Sequence, residues 1–135
     1  MSNSAAESAL EVGLKLLDQD RLVDAQKQFL AVTQLAPNMA IAHYFLGVSF
    51  FNQNRFAEAE VPLRLAVQLD PRDAENLMML GRSLMRQNKL VEAEACFKKG
   101  SELDPNERQY HEEWRLLTQY EPFRTRLAEQ RNGKK

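Results

Sequence analysis

The sequence predicts an all-α protein, folded as a right-handed solenoid of repeated helix–turn–helix units. Pro37, Pro71 and Pro105 are spaced 34 residues apart. Two further columns keep the same period, namely Gly13, Gly47 and Gly81, and Ala25, Ala59 and Ala93. A fixed period of 20–50 residues is typical of solenoid arrays, in which one unit cannot bury its apolar face without its neighbours.

Each unit contains two helical patterns separated by a short polar turn. In the second unit, apolar residues recur at helical spacing over 40–51 and again over 56–69. Each unit ends at its proline, which cannot continue a helix and disfavours helix in the residue before it. We therefore expect three repeats over about 6–39, 40–73 and 74–107.

Short polar side chains suggest where several helices begin. Asp20 and Asn54 precede the second helices and are expected to act as N-caps, and Ser4 with Glu7 fits a capping box for the first helix. Pro62 lies inside the second helix of the second unit. It removes a backbone donor there and predicts a local kink, with the carbonyl of residue 58 turned to water.

The pattern continues beyond the third proline. Residues 107–120 restart the first-helix pattern with Tyr110, Trp114 and Leu117 on one face, and a short helix is expected over 123–130. We expect residues 107–131 to cap the third repeat and 132–135 to form a frayed tail, within a single domain of residues 1–135. The alternative is that the piece after Pro122 docks into a second copy of the chain.

Composition limits the classes of function. The formal net charge of −1 gives no drive toward nucleic acid or an anionic membrane, and a single cysteine excludes an intramolecular disulfide. The start has no signal-peptide pattern and no run is long enough to insert in a membrane, so we expect a cytoplasmic protein. The sequence has no phosphate loop, metal-spaced cluster or nucleophile motif, which predicts no cofactor, no metal and no enzymatic activity. His43 and His111, two periods apart, are expected to be packing residues.

The repeated columns resemble the tetratricopeptide repeat (TPR) family. The pair before the close approach is Val12-Gly13, Leu46-Gly47 and Leu80-Gly81, and each alanine is followed four residues later by Phe29, Leu63 or Phe97. That resemblance covers about 100 residues in register. It implies that the first helices of successive repeats line a concave groove that binds peptides or helices.

Carrying the family pattern over places the following residues in the groove: Leu10, Leu14, Tyr44, Phe45, Val48, Phe51, Asn52, Met78, Arg82, Met85 and Arg86. A large apolar surface of this kind usually marks a binding site, and we favour Tyr44, Val48, Phe51 and Met85 as its exposed members. The alternative is packing between neighbouring first helices, which is equally expected for Leu17, Ile41 and Met79.

Charged residues flank the apolar part of the predicted groove. Arg82 and Arg86 lie one helical turn apart and are suited to bind a carboxylate, unless they pair with local acids. Glu7, Glu11 and Asp18 lie at the other end, so we expect a ligand with its basic end toward the first repeat and its acidic end toward the third.

The resemblance also discriminates between TPR subclasses. The subclass that binds the C-terminal carboxylates of Hsp70 and Hsp90 uses Lys, Asn, Asn, Lys and Arg at positions that here hold Leu10, Leu14, Phe45, Glu75 and Met79. We therefore do not expect chaperone-tail binding. The apolar groove is more similar to TPR modules that take an amphipathic helix or an apolar segment, among them class II chaperones of type III secretion.

The sequence thus predicts a non-enzymatic protein–protein interaction module, an adaptor, scaffold or chaperone, whose partner is a protein or peptide. The alternative is a self-assembling TPR protein, a homo-oligomer in which the groove accepts the C-terminal segment of another copy. RNA binding, as in other helical repeats, is not favoured because the groove has few bases to neutralise phosphates.

Overall fold

A computed structural model describes residues 3–133, and within them the chain is helical with no strand. The helices are α1 Ser4–Asp18, α2 Leu22–Leu35, α3 Ala40–Asn52, α4 Phe56–Leu69, α5 Ala74–Arg86, α6 Leu90–Leu103, α7 Arg108–Gln119 and α8 Phe123–Arg131. They fall into two compact units, with α1–α4 up to residue 71 and α5–α8 from residue 72. The predicted all-α class and the predicted helix positions are confirmed.

The first three helical hairpins each close on a glycine. A Cβ atom on Gly47 of α3 would lie 2.5 Å from Cγ of Leu63 on α4, and one on Gly13 would lie 2.6 Å from Cε1 of Phe29. Gly81 meets Phe97 in the same way. Real Cβ atoms do not approach other atoms so closely, so only glycine allows the two helices this spacing.

The core of each unit is built from the repeated apolar columns. Unit 1 has two buried clusters, one of Ala6, Val32 and Ala42 and one of Ala25, Phe29 and Leu46. Unit 2 buries Leu77, Met78, Leu80, Leu84, Leu90, Phe97, Leu117 and Leu127. The histidines predicted to pack do so, since Nε2 of His43 and of His111 each donates to a proline carbonyl at 2.8 Å, and His43 is buried.

The residues expected to cap the second helices have a different role. Asp20, Asn54 and Asn88 have φ of 59°, 61° and 62°, and α2 and α4 begin after Arg21 and Arg55 without a side-chain cap. The Asn54 N–H donates to the Phe51 carbonyl at 2.9 Å. The next N–H donates to the Phe50 carbonyl at 3.0 Å, and the other two turns repeat both bonds. The N-cap prediction was wrong because these residues end the first helices in a left-handed turn.

Two other local predictions had different outcomes. The capping box was wrong, since α1 already includes Ser4 and its N-cap position is held by Asn3, which makes no side-chain cap bond. The Asn3 side chain donates instead to the Leu35 carbonyl at 3.2 Å. Helix α4 runs through Pro62 from Phe56 to Leu69 and the proline ring is buried, while the kink itself stays a prediction.

The C-terminal helices pack on their own unit. Leu117 and Leu127 are buried, and Gln130 Oε1 accepts a hydrogen bond from the Leu90 N–H at 2.8 Å, at the start of α6. The Gln130 amide also donates to the Asn88 carbonyl at 2.7 Å, and Arg131 pairs with Glu94. Of the predicted frayed tail, residues 134–135 lie outside the described residues.

Helices α7 and α8 follow the register of an incomplete fourth repeat. Residues Tyr110 to Leu117 lie 34 positions after the corresponding part of α5. Leu127 lies 34 positions after Ala93, at the position that is alanine in the three complete repeats. Arg115 stands in the glycine column and Arg131 in the column of Phe97. The tight glycine contact of the other hairpins is therefore absent between these two helices.

A pair of substitutions in α4 tests the close packing. Ala59 is fully buried whereas Ala57, on the same helix, is exposed. We expect Ala59→Leu to lower the free energy of unfolding by about 1–3 kcal/mol through overpacking, and Ala57→Leu to leave it unchanged. Urea unfolding followed by circular dichroism measures both, and equal stability of the two variants would contradict the assigned core.

The left-handed turn gives a second prediction. Asn54→Ala should lower the free energy of unfolding by about 1 kcal/mol, because the alanine Cβ disfavours a positive φ. Asn54→Gly, which has no such penalty, should keep or raise the stability. Chemical denaturation of both variants decides the point, and an Asn54→Ala protein as stable as Asn54→Gly would rule out the turn.

Candidate functional site

Helix α3 of unit 1 is apolar on more than one face. Its sequence from Ala40 to Asn52 contains no charged residue. One face is buried against the rest of the unit, with Ala42, His43, Leu46, Gly47 and Ser49. The remaining apolar side chains are half-buried or exposed: Ile41, Tyr44, Phe45, Val48, Phe50 and Phe51. A helix with this pattern normally has a partner on its second face.

Aromatic rings connect the core of unit 1 to this surface. The Phe45 ring stacks on the fully buried Phe29 ring, with centroids 5.6 Å apart. Tyr44 meets Phe45 edge-on at 5.0 Å, and Phe51 meets Phe56 edge-on at 5.0 Å. Such pairs fix the orientation of the rings, so the aromatic surface is held in place before any ligand arrives.

The other predicted groove residues of unit 1 lie on or beside this surface. Leu10 and Leu14 of α1 are half-buried and pack against the cluster of Ala25, Phe29 and Leu46, as does Phe45. Asn52 is exposed, at the end of α3. Tyr44, Val48 and Phe51, which we favoured as exposed, are half-buried. We define the unit 1 surface as Leu10, Leu14, Tyr44, Phe45, Val48, Phe51 and Asn52.

The structure buries part of the predicted groove in unit 2. Met78 is fully buried, and its sulfur fills the space beside Gly100, where a Cβ would lie 2.7 Å away. Met79 is also buried. The inclusion of Met78 among the groove residues was wrong, because α6 has a glycine that lets Met78 into the core, while Met79 follows the packing alternative. Met85 is half-buried and Arg86 is exposed.

Arg82 is held by acids of its own unit. Its Nε lies 2.8 Å from both carboxylate oxygens of Glu113 on α7, and its Nη1 lies 3.1 Å from Oε1 of Glu75. The Tyr110 hydroxyl donates to Oε2 of Glu75 at 2.8 Å. The side chains of Arg82 and Glu113 are each only 18% exposed. This network joins α5 to α7.

The network leaves little of Arg82 for a ligand carboxylate. Burial opposes the charged form of Arg82, but the hydrogen bonds and charges of Glu113 and Glu75 outweigh it and raise the pKa of the guanidinium. The pKa of Tyr110 is raised as well, first by burial and then by its bond to Glu75. The alternative that Arg82 pairs with a local acid is therefore the one observed.

Sequence reasoning missed a second apolar surface in unit 1. An open cleft of about 400 Å³ is lined by Thr33, His43, Leu46, Phe50, Glu58, Val61, Pro62 and Leu65. Val61 is 72% exposed, the highest value among the exposed large apolar residues. The sequence already set this position apart, since the matching residues of the neighbouring repeats are Lys27 and Ala95 and only Val61 is a large apolar residue.

Comparison with protein families identifies these repeats. Two family models, both described as tetratricopeptide repeat, match residues 10–74 and 63–120. The chain belongs to the TPR family. No curated protein sequence matches it.

Solved TPR structures share the fold. The first TPR domain of Spaghetti (RPAP3), bound to the Hsp90 peptide SRMEEVD, aligns with a TM-score of 0.85 at 24% identity, over 88% of this chain and 94% of that one. MamA from Desulfovibrio magneticus RS-1 gives 0.81 at 23%, over 95% and 72%. The Yersinia enterocolitica type III secretion chaperone SycD, in complex with a peptide of the translocator YopD, gives 0.75 at 19%, over 99% and 98%.

The unit 1 surface and the α5–α7 surface of unit 2 differ in charge. Unit 1 offers aromatic and aliphatic side chains with one amide, whereas α5 and α7 of unit 2 offer a closed ionic network.

Across residues 3–133, no helix has both the length and the apolarity to cross a membrane.

A double-mutant cycle tests the ionic network. Arg82→Met and Glu113→Gln should each lower the free energy of unfolding by about 1–3 kcal/mol, because each leaves a half-buried polar partner without its charged bond. The two effects should be coupled by at least about 0.5 kcal/mol. Urea unfolding supplies all four values.

The matched control is the exposed pair Arg115 and Glu112 on α7, whose side chains are 47% and 48% exposed. Arg115→Met and Glu112→Gln should show a coupling below about 0.5 kcal/mol. Equal coupling in both cycles would mean that the Arg82 network contributes no more than a surface pair.

Proposed function

We propose that this TPR chain is a non-enzymatic protein-interaction module, an adaptor, scaffold or chaperone, that binds an apolar or amphipathic peptide or helix on the unit 1 surface. The observation that carries the proposal is the uncharged helix α3, whose second face is aromatic and half-buried. We place its action in the cytoplasm and expect neither nucleic acid nor membrane as its partner.

Physical reasons support this binding mode. Apolar anchors spaced along a groove are how amphipathic helices and extended segments are recognised. Tyr44, Phe45 and Phe51 are held by ring contacts, so little side-chain entropy is lost on binding. Large aromatic residues of this kind dominate the binding energy of protein interfaces.

Structural neighbours support a peptide as the ligand class. The TPR domain of Spaghetti is solved with an Hsp90 peptide, and SycD with a YopD peptide. This chain differs from the carboxylate-binding subclass, since Leu10, Leu14 and Phe45 are apolar and pack against the core of unit 1. We therefore propose apolar recognition and not recognition of an acidic chaperone tail.

The polarity of the ligand follows from the exposed acids on α1. Glu7, Glu11 and Asp18 are exposed along that helix, beside the apolar residues Leu10 and Leu14. A basic residue at one end of the ligand would be attracted there. The expected acidic end at Arg82 is withdrawn, because Glu113 and Glu75 already bind that guanidinium.

Self-assembly through the C-terminal segment has less support than it had from the sequence. Leu127 is buried in its own unit, and the two bonds of Gln130 and the ion pair of Arg131 attach α8 to the start of α6. A segment held in this way would have to break these contacts before it could enter the groove of another copy.

Two matched valine variants test the proposal. A phage-displayed random peptide library is selected on the full-length chain, and the selected peptide is titrated by isothermal calorimetry against wild type, Val48→Asp and Val61→Asp. Val48→Asp introduces a charge on the unit 1 surface and should weaken binding by about tenfold or more. Val61→Asp makes the same change in the cleft and should bind as wild type does.

Two outcomes of the same experiment would contradict the proposal. Loss of binding with Val61→Asp alone would move the site to the cleft between α2 and α4. Full retention by both variants would exclude both surfaces of unit 1. Circular dichroism of each variant must first match wild type, so that a loss of binding is not a loss of fold.

A further inference from the structure

One stripe of helix α7, extended by the residue directly after the helix, is not used to cap the third repeat. Gln109, Glu112, Glu113, Leu116 and Tyr120 line an open cleft of about 380 Å³ in unit 2. Leu116 is 39% exposed and Tyr120 is 50% exposed. Tyr110 and Leu117, on the other side of the helix, are the residues that α7 buries against its unit. The stripe is thus additional to the face that caps the repeats.

The residues at the same repeat positions on other first helices make contact with the next first helix. On α5 the residues 34 positions earlier are Glu75 and Arg82, and they hold the next first helix through Tyr110 and Glu113. On α1 the matching position is Leu14, which packs on the same cluster as Phe45 of α3. In each unit, these positions on the earlier first helix pack toward the next first helix. Within residues 3–133, no further first helix follows α7.

The charge on the stripe indicates which helix fits. Glu112 occupies the column in which α1 has Leu10 and α5 has the fully buried Met78. It forms an ion pair with Arg115 at 2.9 Å, and both side chains are about half exposed. A pair of this kind is worth at most about 1 kcal/mol, so a base from a partner can replace Arg115 at little cost.

A second copy of the chain is a poor match for this stripe. The edge of α1 that would face it carries Ser8 and Glu11, in the columns of Tyr110 and Glu113. Stacking copies head to tail would bring Glu11 next to Glu112 and Leu116, which adds like-charge repulsion and buries a carboxylate on an apolar floor.

We propose that the stripe of Gln109, Glu112, Leu116 and Tyr120 is a second docking surface, and that its occupant is a basic amphipathic helix of a partner protein. The apolar face of that helix covers Leu116 and Tyr120, and a lysine or arginine one turn away pairs with Glu112. The surface lies wholly in unit 2 and its test does not depend on ligand binding by unit 1.

The experiment uses the full chain and a fluorescein-labelled synthetic helix of about 18 residues. The helix consists of leucine and lysine with leucine at i, i+3, i+4 and i+7, an amphipathic pattern. A peptide of the same composition with scrambled order has no apolar face, and a third has glutamate in place of lysine. Fluorescence anisotropy measures each affinity, and Trp114, the single tryptophan of the sequence and a residue of α7, gives an intrinsic signal.

Wild type should bind the leucine–lysine helix at least about tenfold more tightly than the scrambled or the acidic peptide. Because the unit 1 surface is also proposed to bind amphipathic helices, the stripe is tested in the Val48→Asp background. There, Leu116→Asn with Tyr120→Asn should lose the preference for the lysine helix, whereas Val61→Asp, which lies outside both surfaces, should keep it. Glu112→Lys changes an exposed charge without touching the core. It should weaken the lysine helix and strengthen the glutamate helix, a reversal that no loss of fold can produce.

Three results would overturn the proposal. The first is a Val48→Asp protein that binds the lysine helix no better than it binds the scrambled peptide, or no better than its Leu116→Asn/Tyr120→Asn derivative does. The second is Glu112→Lys with unchanged preference. The third is a concentration-dependent dimer in sedimentation that the Leu116→Asn/Tyr120→Asn variant abolishes, because it would assign the surface to a second copy.

Discussion

The contact between a glycine on α1, α3 or α5 and a large residue on the second helix of the same hairpin sets the geometry of the three complete repeats. At Gly13, Gly47 and Gly81 a Cβ would lie 2.5–2.6 Å from the opposing side chain. Because the two helices of a hairpin are this close, Phe29, Leu63 and Phe97 can be fully buried between them. The burial of one such side chain contributes about 1.5–3 kcal/mol, more than any surface ion pair of this chain can supply. The first helices keep a second face because the hairpin uses only one.

The second faces of the first helices differ between the units although their register is the same. In unit 1 the positions next to the following helix are apolar, with Leu14 and Phe45 packed on one cluster. In unit 2 the equivalent positions are Arg82 and Glu113, which form a half-buried ion pair. Exchange of an apolar pair for an ionic one preserves the stacking but changes what the surface can bind. The apolar version suits an apolar ligand, whereas the ionic version satisfies its own charges and leaves a ligand little to bind.

The 34-residue period was enough to predict the helices, because proline, glycine and alanine mark positions where backbone geometry permits few alternatives. It did not predict the left-handed turns, since asparagine and aspartate are common both as N-caps and at positive φ. Met78 and Arg82 were assigned to the groove because their own helix puts them on its face. Their actual partners, Gly100 and Glu113, lie on other helices, and a repeat pattern does not specify contacts that differ between repeats. Val61 shows the same limit, since its exposure depends on what lies beside α4.

The end of the repeat array connects stability to recognition. Arg115 replaces the glycine and Leu127 the alanine, so α7 and α8 cannot approach as the other hairpins do. Polar contacts attach α8 to α6 instead, with Gln130 bonded to the Leu90 N–H and the Asn88 carbonyl and Arg131 paired with Glu94. Helix α7 places the carboxylate of Glu112 in a column that is apolar in the three complete repeats, which disfavours a further repeat of the same kind. A terminal surface with an apolar floor and an acidic edge can still accept a helix that neutralises the acid. In our proposal, the residues by which α7 departs from the repeat pattern also determine which partner helix can bind there.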